Sequence, residues 1–207
     1  MPLLSHSDRA DSNVVRCPKR SLTQTVKRRS LRPKLKGLVD AGKLCRYDAG
    51  IYYLPGKSKL KGLVPISAST VARCKYVSQR GKVRGYYAGF TFANQMGLSL
   101  QVPYVQEIVS NEASAKVREI EIKGQKFLLR KPRTVITEEN YRVLQFLDFL
   151  VDFDKYMDGS VEDIPARLVQ IIKDENITKK VIDAYISLYP TKVYKNLYET
   201  GVVYAIA

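Results

Sequence analysis

The stretch Arg28–Leu54 reads RRSLRPKLKGLVDAGKLCRYDAGIYYL and decides the fold of the first part of the chain. Its first half has apolar residues at helical spacing, which predicts an amphipathic helix with one buried face. That face consists of Leu31, Leu35, Leu38 and Val39. Its second half turns at Asp48-Ala49-Gly50, which predicts a two-stranded hairpin because glycine can take a positive φ there.

The two ends of the predicted helix carry residues that suit helix termini. Ser30 is a residue type that caps helix N-termini, and Pro33 fits the first turn, where a missing N–H is tolerated. Gly42 suits the left-handed position that follows the last turn. We therefore expect a helix from about Ser30 to just before Gly42, followed directly by the hairpin.

Positive charge is concentrated in this part of the chain. Residues 1–62 contain 15 Lys and Arg against 4 Asp and Glu, a net charge of +11, whereas residues 63–207 contain 20 against 16, a net charge of +4. A basic end on a nearly balanced body is typical of a nucleic-acid-binding module, although ribosomal and membrane-surface tails are also basic. A basic helix beside a hairpin is how a winged helix-turn-helix meets DNA. The predicted DNA contacts are Arg28, Arg29, Arg32, Lys34, Lys36, Arg46 and Tyr47.

The pattern along the chain predicts an α+β protein with two domains. Residues 1–55 are expected to form the winged helix-turn-helix, truncated or divergent at its front, since residues 1–29 lack helical periodicity and are expected to be poorly ordered. Residues 56–66, rich in Gly, Pro and Lys, are interpreted as a linker. Residues 67–207 are expected to form a mixed α+β domain with a helical C-terminal part.

Periodicity and turn residues place the elements of this second domain. Helices are predicted at 69–77, at 91–96, from a Thr137 cap onward, and at 164–173, 178–188 and 191–198. Strands are predicted at 86–88 and 102–109, and a hairpin is predicted from 117–122 and 126–130.

The residue inventory argues against metal, cofactor and nucleophilic chemistry. Cys17, Cys45 and Cys74 have no metal-ligand spacing, and His6 is the sole histidine, so neither a zinc site nor a Cys-His relay is expected. Unpaired cysteines, the lack of an apolar leader and the lack of a membrane-length apolar run favour a cytoplasmic protein that does not enter membranes. No catalytic, cofactor or metal residues are predicted.

Three further patterns have a chemical interpretation and a simpler structural one. Glu121 and Lys123, with Glu107 as a preceding acid, could form a metal-dependent nuclease site, but an exposed hairpin explains them more simply. The acidic residues Asp148, Asp152, Asp154 and Asp158 fit a metal site less well than a polar helix face. The tyrosines of the last third fit a partner surface or core packing equally well, and they are Tyr141, Tyr156, Tyr185, Tyr189, Tyr194, Tyr198 and Tyr204.

Two sequence blocks in a fixed order resemble a known family. The first is LKGLVDAGKLCRYDAGIYYLP, Leu35–Pro55, and the second is GFTFANQMGLSLQVPYVQEIVS, Gly89–Ser110, followed by the hairpin KVREIEIKGQKFLLRKP. Together they resemble the AbiEi-like antitoxins, transcriptional regulators of bacterial abortive-infection toxin–antitoxin systems. The resemblance covers roughly residues 30–150.

The resemblance implies a DNA-binding autorepressor of its own operon that is not an enzyme. Its second domain is then expected to contribute to antitoxicity, with a nucleotidyltransferase-like toxin as partner. The matching scaffold positions of the first block are Leu35, Leu38, Gly42, Leu44, Gly50 and Tyr52. Those of the second block are Gly89, Phe92, Ala93, Gly97, Leu98, Gln101, Val102 and Pro103. The alternative is a protein-interaction module whose winged helix does not bind DNA.

Overall fold

The computed structural model describes residues 14–16, 28–48, 50–57, 63–79, 81–156 and 163–205. These residues form helices and several sheets, which confirms the predicted α+β class. They divide into two compact units, one up to Cys74 and one from Lys75. Within the described ranges, no helix is long and apolar enough to cross a membrane.

The first unit contains the predicted helix and hairpin. Helix α1 spans Arg28–Asp40, and strands β2, Cys45–Asp48, and β3, Ile51–Tyr53, pair antiparallel. Gly50 in the turn has a φ of +77°, as the sequence predicts. Strand β1, Val14–Arg16, pairs antiparallel with β3, so the sheet has the order β1-β3-β2.

The sequence predicted the C-terminus of α1 correctly, but it placed the N-terminus too late. At the C-terminus the prediction is confirmed: Gly42 has a φ of +67° and its N–H donates to the Val39 carbonyl at 2.9 Å. The Lys43 N–H reaches the Leu38 carbonyl at 2.9 Å, which completes a Schellman motif. At the N-terminus the helix begins two residues before Ser30, so Ser30 lies inside it and Pro33 lies in the second turn.

One further expectation for this unit needs correction. Leu38, assigned to the buried face of α1, is 39% exposed, whereas Leu35 is buried. Of residues 1–29, for which poor order or divergence was expected, the structure describes strand β1 and the first residues of α1. The remaining residues of that range lie outside the described part of the chain.

The residues after the hairpin, which the sequence predicts to be a linker, contain secondary structure. Strands β4, Gly56–Lys57, and β5, Leu63–Val64, pair antiparallel on either side of residues 58–62, which are not described. Helix α2, Ala68–Ala72, continues into a π-helical turn, Arg73–Val77, which confirms the predicted helix there. The Ser67 hydroxyl caps α2 by accepting from the Thr70 N–H at 3.1 Å.

The second unit is built on a four-stranded sheet. Its strands are β8, Gly85–Ala88, β9, Gln106–Ser110, β10, Val117–Ile122, and β11, Gln125–Arg130, in the order β10-β11-β9-β8. Strands β9 and β11 pair parallel, and the other pairs are antiparallel. A short pair, β6, Ser78–Gln79, and β7, Lys82–Val83, precedes this sheet.

The sequence prediction holds for one turn of this sheet and fails for the start of one strand. The β10–β11 hairpin is confirmed, and its turn residues Lys123 and Gly124 both have a positive φ, +46° and +81°. Such a turn matches the twist of the flanking strands. The predicted strand over residues 102–109 is wrong in its first half, since β9 begins at Gln106.

The helices of the second unit pack against the sheet face that carries Tyr86, Ala88 and Val109. They are α3, Gly89–Gln95, α4, Tyr141–Val151, α5, Phe153–Tyr156, α6, Ile164–Asp174, α7, Lys179–Tyr185, α8, Lys192–Glu199, and α9, Val202–Ala205. Phe146, Leu147 and Leu150 of α4 are almost completely buried and form the centre of the core. The predicted helical C-terminal part is therefore confirmed.

Helix α4 begins at Tyr141, four residues after its predicted cap. The Thr137 N–H donates to the Asn140 side-chain oxygen at 2.8 Å, which closes a turn before the helix. The Glu138 carboxylate accepts from the Val83 N–H at 2.7 Å, so it supports strand β7 and not the first helical turn. Thr137 is therefore not the N-cap.

Gly85 lies where the sheet leaves no room for a side chain. A Cβ at this position overlaps the carbonyl oxygens of Tyr76 and Val109. We expect Gly85→Ala to destabilise the protein by about 3 kcal/mol, because backbone atoms must move to admit the methyl group. Urea denaturation followed by tyrosine fluorescence measures this loss.

Gly37 provides the matched control for that substitution. It lies inside α1 with no atom within 4 Å of an added Cβ. Gly37→Ala is expected to stabilise α1 by about 1 kcal/mol, since alanine favours the helix. Equal stability of Gly85→Ala and the wild type contradicts the close approach seen at Gly85.

Candidate nucleic-acid interface

Helix α1 presents three of the seven predicted DNA contacts to solvent. Arg32, Lys34 and Lys36 are exposed, while Leu35 between them is 8% exposed and turned inward. Arg28 and Arg29 lie in the first turn of the helix. The alternation follows from the sequence, because one apolar stripe leaves the remaining circumference to charged residues.

The cations of α1 do not form a single row. Arg32 and Lys36 are one helical turn apart and therefore lie on the same side. Lys34 lies about 160° around the helix from Arg32, since successive residues are separated by about 100°. A flat polyanion along one side of α1 therefore meets Arg32 and Lys36 together, and Lys34 lies on the opposite flank.

The hairpin places Arg46 at the surface, where it can contact DNA, but it does not place Tyr47 there. Arg46 is exposed and pairs with Tyr52 across the sheet. Tyr47 is buried, and this burial, followed by the charge of Asp48, raises the pKa of its hydroxyl. The structure therefore places Tyr47 in the core of the first unit, and we withdraw it from the DNA contacts.

Four exposed cations of the first unit have no acidic partner among the residues that the structure describes. Arg32, Lys34, Lys36 and Arg46 form no ion pair with any residue that the structure describes. The described part of this unit has two carboxylates, Asp40 and Asp48. In the second unit, by contrast, several cations pair with acids, as in Arg84–Glu112 at 2.7 Å, Arg142–Glu175 at 2.6 Å and Lys192–Asp152 at 2.9 Å.

Lys43 is an exposed cation beside the predicted DNA contacts, and the sequence analysis missed it. It is exposed at the junction between α1 and the hairpin, directly after Gly42. The turn that ends the helix therefore places one more cation between Lys36 and Arg46 in the chain. Its signal in the sequence is its position at the helix–hairpin junction, since a residue there is close to both elements.

The second unit contains a buried ion cluster that the sequence did not reveal. The Arg130 guanidinium on β11 donates to Glu107 on β9 and, at 2.8 Å, to Asp148 on α4. The Asp148 side chain is 4% exposed. Burial lowers the pKa of Arg130, but the two carboxylates outweigh burial and hold this pKa above its usual value.

Tyrosine hydroxyls surround this cluster. The Tyr86 hydroxyl donates to Asp148 at 3.4 Å, and the Tyr189 hydroxyl donates to the Leu144 carbonyl at 3.0 Å. Burial, and secondarily the negative charge of Asp148, raises the pKa of both tyrosines. Burial and the charge of Glu107 likewise raise the pKa of Tyr156. These hydroxyls therefore stay neutral donors at physiological pH.

Gly89 lies directly against the Glu107 carboxylate of the cluster. It begins α3 with a φ of +58°, and a Cβ there overlaps the second carboxylate oxygen of Glu107. The absent side chain lets the carboxylate lie directly against the backbone.

The structure does not bring the residues of the nuclease hypothesis together. Glu107 and Glu121 lie on strands separated by β11, so at least about 10 Å divides them. Lys123 lies in the hairpin turn, and Glu107 is taken by Arg130. Among the described residues, no group of three or more His, Cys, Asp or Glu side chains is placed to hold a metal.

The acidic residues of the helical part have separate environments. Asp148 belongs to the buried cluster, and Asp152 pairs with Lys155 at 3.1 Å and with Lys192 at 2.9 Å. Asp154 is exposed, and Asp158 lies outside the described residues. Asp148 and Asp152 therefore form structural ion pairs, and Asp154 belongs to a solvated helix face.

The fold and these sites define a two-unit α+β protein whose basic helix and hairpin expose Arg32, Lys34, Lys36 and Arg46 without an acidic partner among the described residues. The chain belongs to a family of unknown function, DUF6088, whose match spans residues 21–180. That match includes α1, the hairpin and the sheet of the second unit. No curated protein and no solved structure is significantly similar to the chain.

Removing the Arg130 guanidinium leaves two carboxylates without their cation. We expect Arg130→Met to destabilise the protein by about 3 kcal/mol at neutral pH. An uncompensated buried carboxylate prefers its neutral form, so the penalty relative to wild type shrinks as pH falls to about 4. Urea denaturation at the two pH values measures both effects.

The exposed pair Lys179–Asp183, 3.1 Å apart on α7, is the control for that substitution. Asp183→Asn removes one charge from a solvated pair and is expected to change stability by less than about 0.5 kcal/mol. A pH-independent penalty for Arg130→Met speaks against the buried cluster as its cause.

Proposed function

We propose that this protein binds DNA through α1 and the β2–β3 hairpin in the manner of a winged helix-turn-helix. The observation that carries the proposal is a set of exposed cations that form no ion pair with any described residue: Arg32, Lys34, Lys36 and Arg46. Phosphates supply the missing counter-charge, and guanidinium groups can also reach guanine edges in the major groove.

The strand that precedes α1 supports this proposal. An isolated two-stranded hairpin is marginally stable in water, and a third strand with a buried face stabilises it. Strand β1 supplies that third strand, and Ile51 and Tyr53 of β3 are buried. The β2–β3 hairpin, which is the wing in this proposal, is thus supported by a third strand, and a DNA-binding site needs such rigid support.

The regulatory part of the proposal rests on the order of the two sequence blocks. Their resemblance to the AbiEi-like antitoxins supports a cytoplasmic repressor of its own operon. The operator in its own promoter is then the DNA partner, and a nucleotidyltransferase-like toxin is the protein partner. In this proposal the protein itself has no catalytic role.

A protein-interaction module is the second candidate function, and one observation favours it. Leu100, Val102 and Tyr104 of the second unit are exposed apolar residues close together in the chain. Tyr194, Tyr198 and Tyr204 are also exposed, whereas Tyr189 is buried, so part of the tyrosine-rich segment serves packing and part faces solvent.

Charge removal on α1 tests the DNA-binding proposal. We expect the double variant Arg32→Ala/Lys36→Ala to bind its promoter at least about tenfold more weakly than wild type. The slope of log affinity against log salt should fall by about 2, since each lost phosphate contact removes about 0.9. Fluorescence anisotropy over a salt series measures both quantities.

Lys173 and Lys180 provide a charge-matched control in the second unit. They are exposed on α6 and α7, so the double variant Lys173→Ala/Lys180→Ala removes two charges without touching α1. We expect this variant to keep the affinity and salt slope of wild type. Salt-insensitive binding, or equal binding by wild type and the double variant, contradicts the proposal.

Repression in cells tests the regulatory step separately. A reporter under the chain's own promoter should be repressed by wild type and released by Arg32→Ala/Lys36→Ala, because repression requires occupancy of the operator. Co-expression with the neighbouring gene product tests antitoxicity. Failed promoter binding together with capture of that gene product supports the interaction module instead.

A further inference from the structure

The excess positive charge of residues 63–207 is concentrated in one hairpin. Residues 116–131, which include β10 and β11, contain six Lys and Arg against two Glu, a net charge of +4. Removing them from the 20 basic and 16 acidic residues of 63–207 leaves 14 of each. The β10–β11 hairpin therefore carries the whole charge excess of this part of the chain.

The alternation of side chains along a β-strand separates the charges of this hairpin by face. On one face, Glu119 pairs with Lys126 at 2.9 Å, and Glu121 lies directly opposite Lys126. Side chains two residues apart on a strand share a face, whereas consecutive side chains point to opposite faces. Lys116 and Arg118 therefore lie on the face opposite to the two glutamates.

Lys131 lies on the same face as these two cations. Its N–H donates to the Lys116 carbonyl at 3.0 Å, which extends the β10–β11 pairing one residue beyond Val117 and Arg130. In such a hydrogen-bonded antiparallel pair the two Cα atoms are about 5.5 Å apart. Arg118 follows two residues along the strand, at about 7 Å from Lys116. We call Lys116, Arg118 and Lys131 the β10–β11 cation set.

The β10–β11 cation set has no acidic partner among the residues that the structure describes. All three side chains are exposed, and none forms an ion pair there. Like charges directly opposite each other destabilise a sheet. Charges on an edge strand such as β10 can prevent pairing with other chains, but Lys131 follows the inner strand β11, where this explanation does not apply. The set therefore has a cost in stability that an anionic partner removes.

Nucleic acid is the anionic partner that this set fits best. Lysine is depleted in protein–protein interfaces, whose centres contain aromatic and apolar anchors. The set consists of two lysines and one arginine, and the next side chain on its face of β10, Ile120, is half-buried. Its spacing of about 5.5 to 7 Å is similar to the separation of successive phosphates along a nucleic-acid strand. Lys and Arg are the residues that bind such phosphates.

We propose that Lys116, Arg118 and Lys131 bind the phosphate backbone of DNA and form a second contact surface, in addition to α1 and the β2–β3 hairpin. The inference rests on the proposed function for the identity of the polyanion. It requires no particular arrangement of the two units. Phosphate contacts are independent of sequence, so this surface adds affinity and salt dependence but no base specificity.

Removal of the two opposed lysines tests the proposal in the full chain. We expect Lys116→Ala/Lys131→Ala to bind a mixed-sequence DNA duplex about fivefold more weakly than wild type. The slope of log affinity against log salt should fall by about 2, since each lost phosphate contact removes about 0.9. Lys173→Ala/Lys180→Ala removes two exposed lysines from α6 and α7 and should bind like wild type. Fluorescence anisotropy over a salt series measures both quantities.

The same lysines are also removed in the Arg32→Ala/Lys36→Ala background, which separates this proposal from the proposed function. If α1 does not bind DNA, that background binds like wild type, and removal of Lys116 and Lys131 still weakens binding. An unchanged affinity and salt slope after their removal, in both backgrounds, overturns the proposal. Equal weakening by the α6–α7 control overturns it as well. Weaker binding of polyglutamate with unchanged binding of DNA overturns the assignment to nucleic acid.

Reversal of one charge gives a result that a purely structural role of these lysines does not predict. Lys131→Glu places a carboxylate opposite Lys116 and should raise the urea midpoint of unfolding, because opposite charges across a strand pair stabilise the sheet. It should nevertheless weaken DNA binding more than Lys131→Ala does, since the carboxylate repels phosphates. Tyrosine fluorescence follows unfolding. A lower midpoint, or DNA affinity equal to that of wild type, contradicts the proposal.

Discussion

The second unit depends on the ion pairs that the Arg130 guanidinium forms with Glu107 and Asp148. The guanidinium joins β11, β9 and α4 at one point, and each of these elements comes from a different part of the chain. Apolar burial alone permits a helix to slide over a sheet, since the hydrophobic effect has no direction. A guanidinium bonded to Glu107 and Asp148 has a defined geometry, so it fixes where α4 crosses the strands.

Positive charge has two opposite uses in this chain. In the second unit, Arg130, Arg142 and Lys192 neutralise nearby acids and thereby stabilise the fold. In the first unit, Arg32, Lys36 and Arg46 face solvent, and no acid in the described part of the chain pairs with them. Unneutralised charge on a compact unit is unfavourable for folding because like charges repel. Such a cost is consistent with a surface whose counter-charge comes from another molecule.

Local signals in the sequence predicted the local structure well. Gly42 ends α1 and Gly50 turns the hairpin, since both positions require a positive φ. Helix α7 begins one residue after its predicted start at position 178, because the Thr178 hydroxyl caps it by accepting from the Val181 N–H. The apolar character of α4 was also predictable, since Val143, Phe146, Leu147 and Leu150 recur at helical spacing, although burial extends beyond that face to Leu144, Asp148 and Phe149. Each of these features is decided by residues a few positions apart.

Interactions between distant residues could not be predicted in the same way. The parallel pairing of β9 with β11, and the pairing of β1 with β3, join segments whose sequences carry no mark of their partner. Tyr47 was assigned to the interface because it follows Arg46, yet consecutive strand residues face opposite sides. The start of α4 was misplaced because the Val83 N–H, far away in sequence, binds Glu138.

The contact between Gly89 and Glu107 has a consequence for substitutions at position 89. The carboxylate occupies the space where every other residue at position 89 places its Cβ. A side chain at position 89 therefore obliges the Glu107 carboxylate, the far end of a flexible side chain, to shift, and the positive φ of Gly89 adds backbone strain. Because that carboxylate is one of the two anchors of Arg130, a substitution at position 89 acts on the guanidinium without touching it.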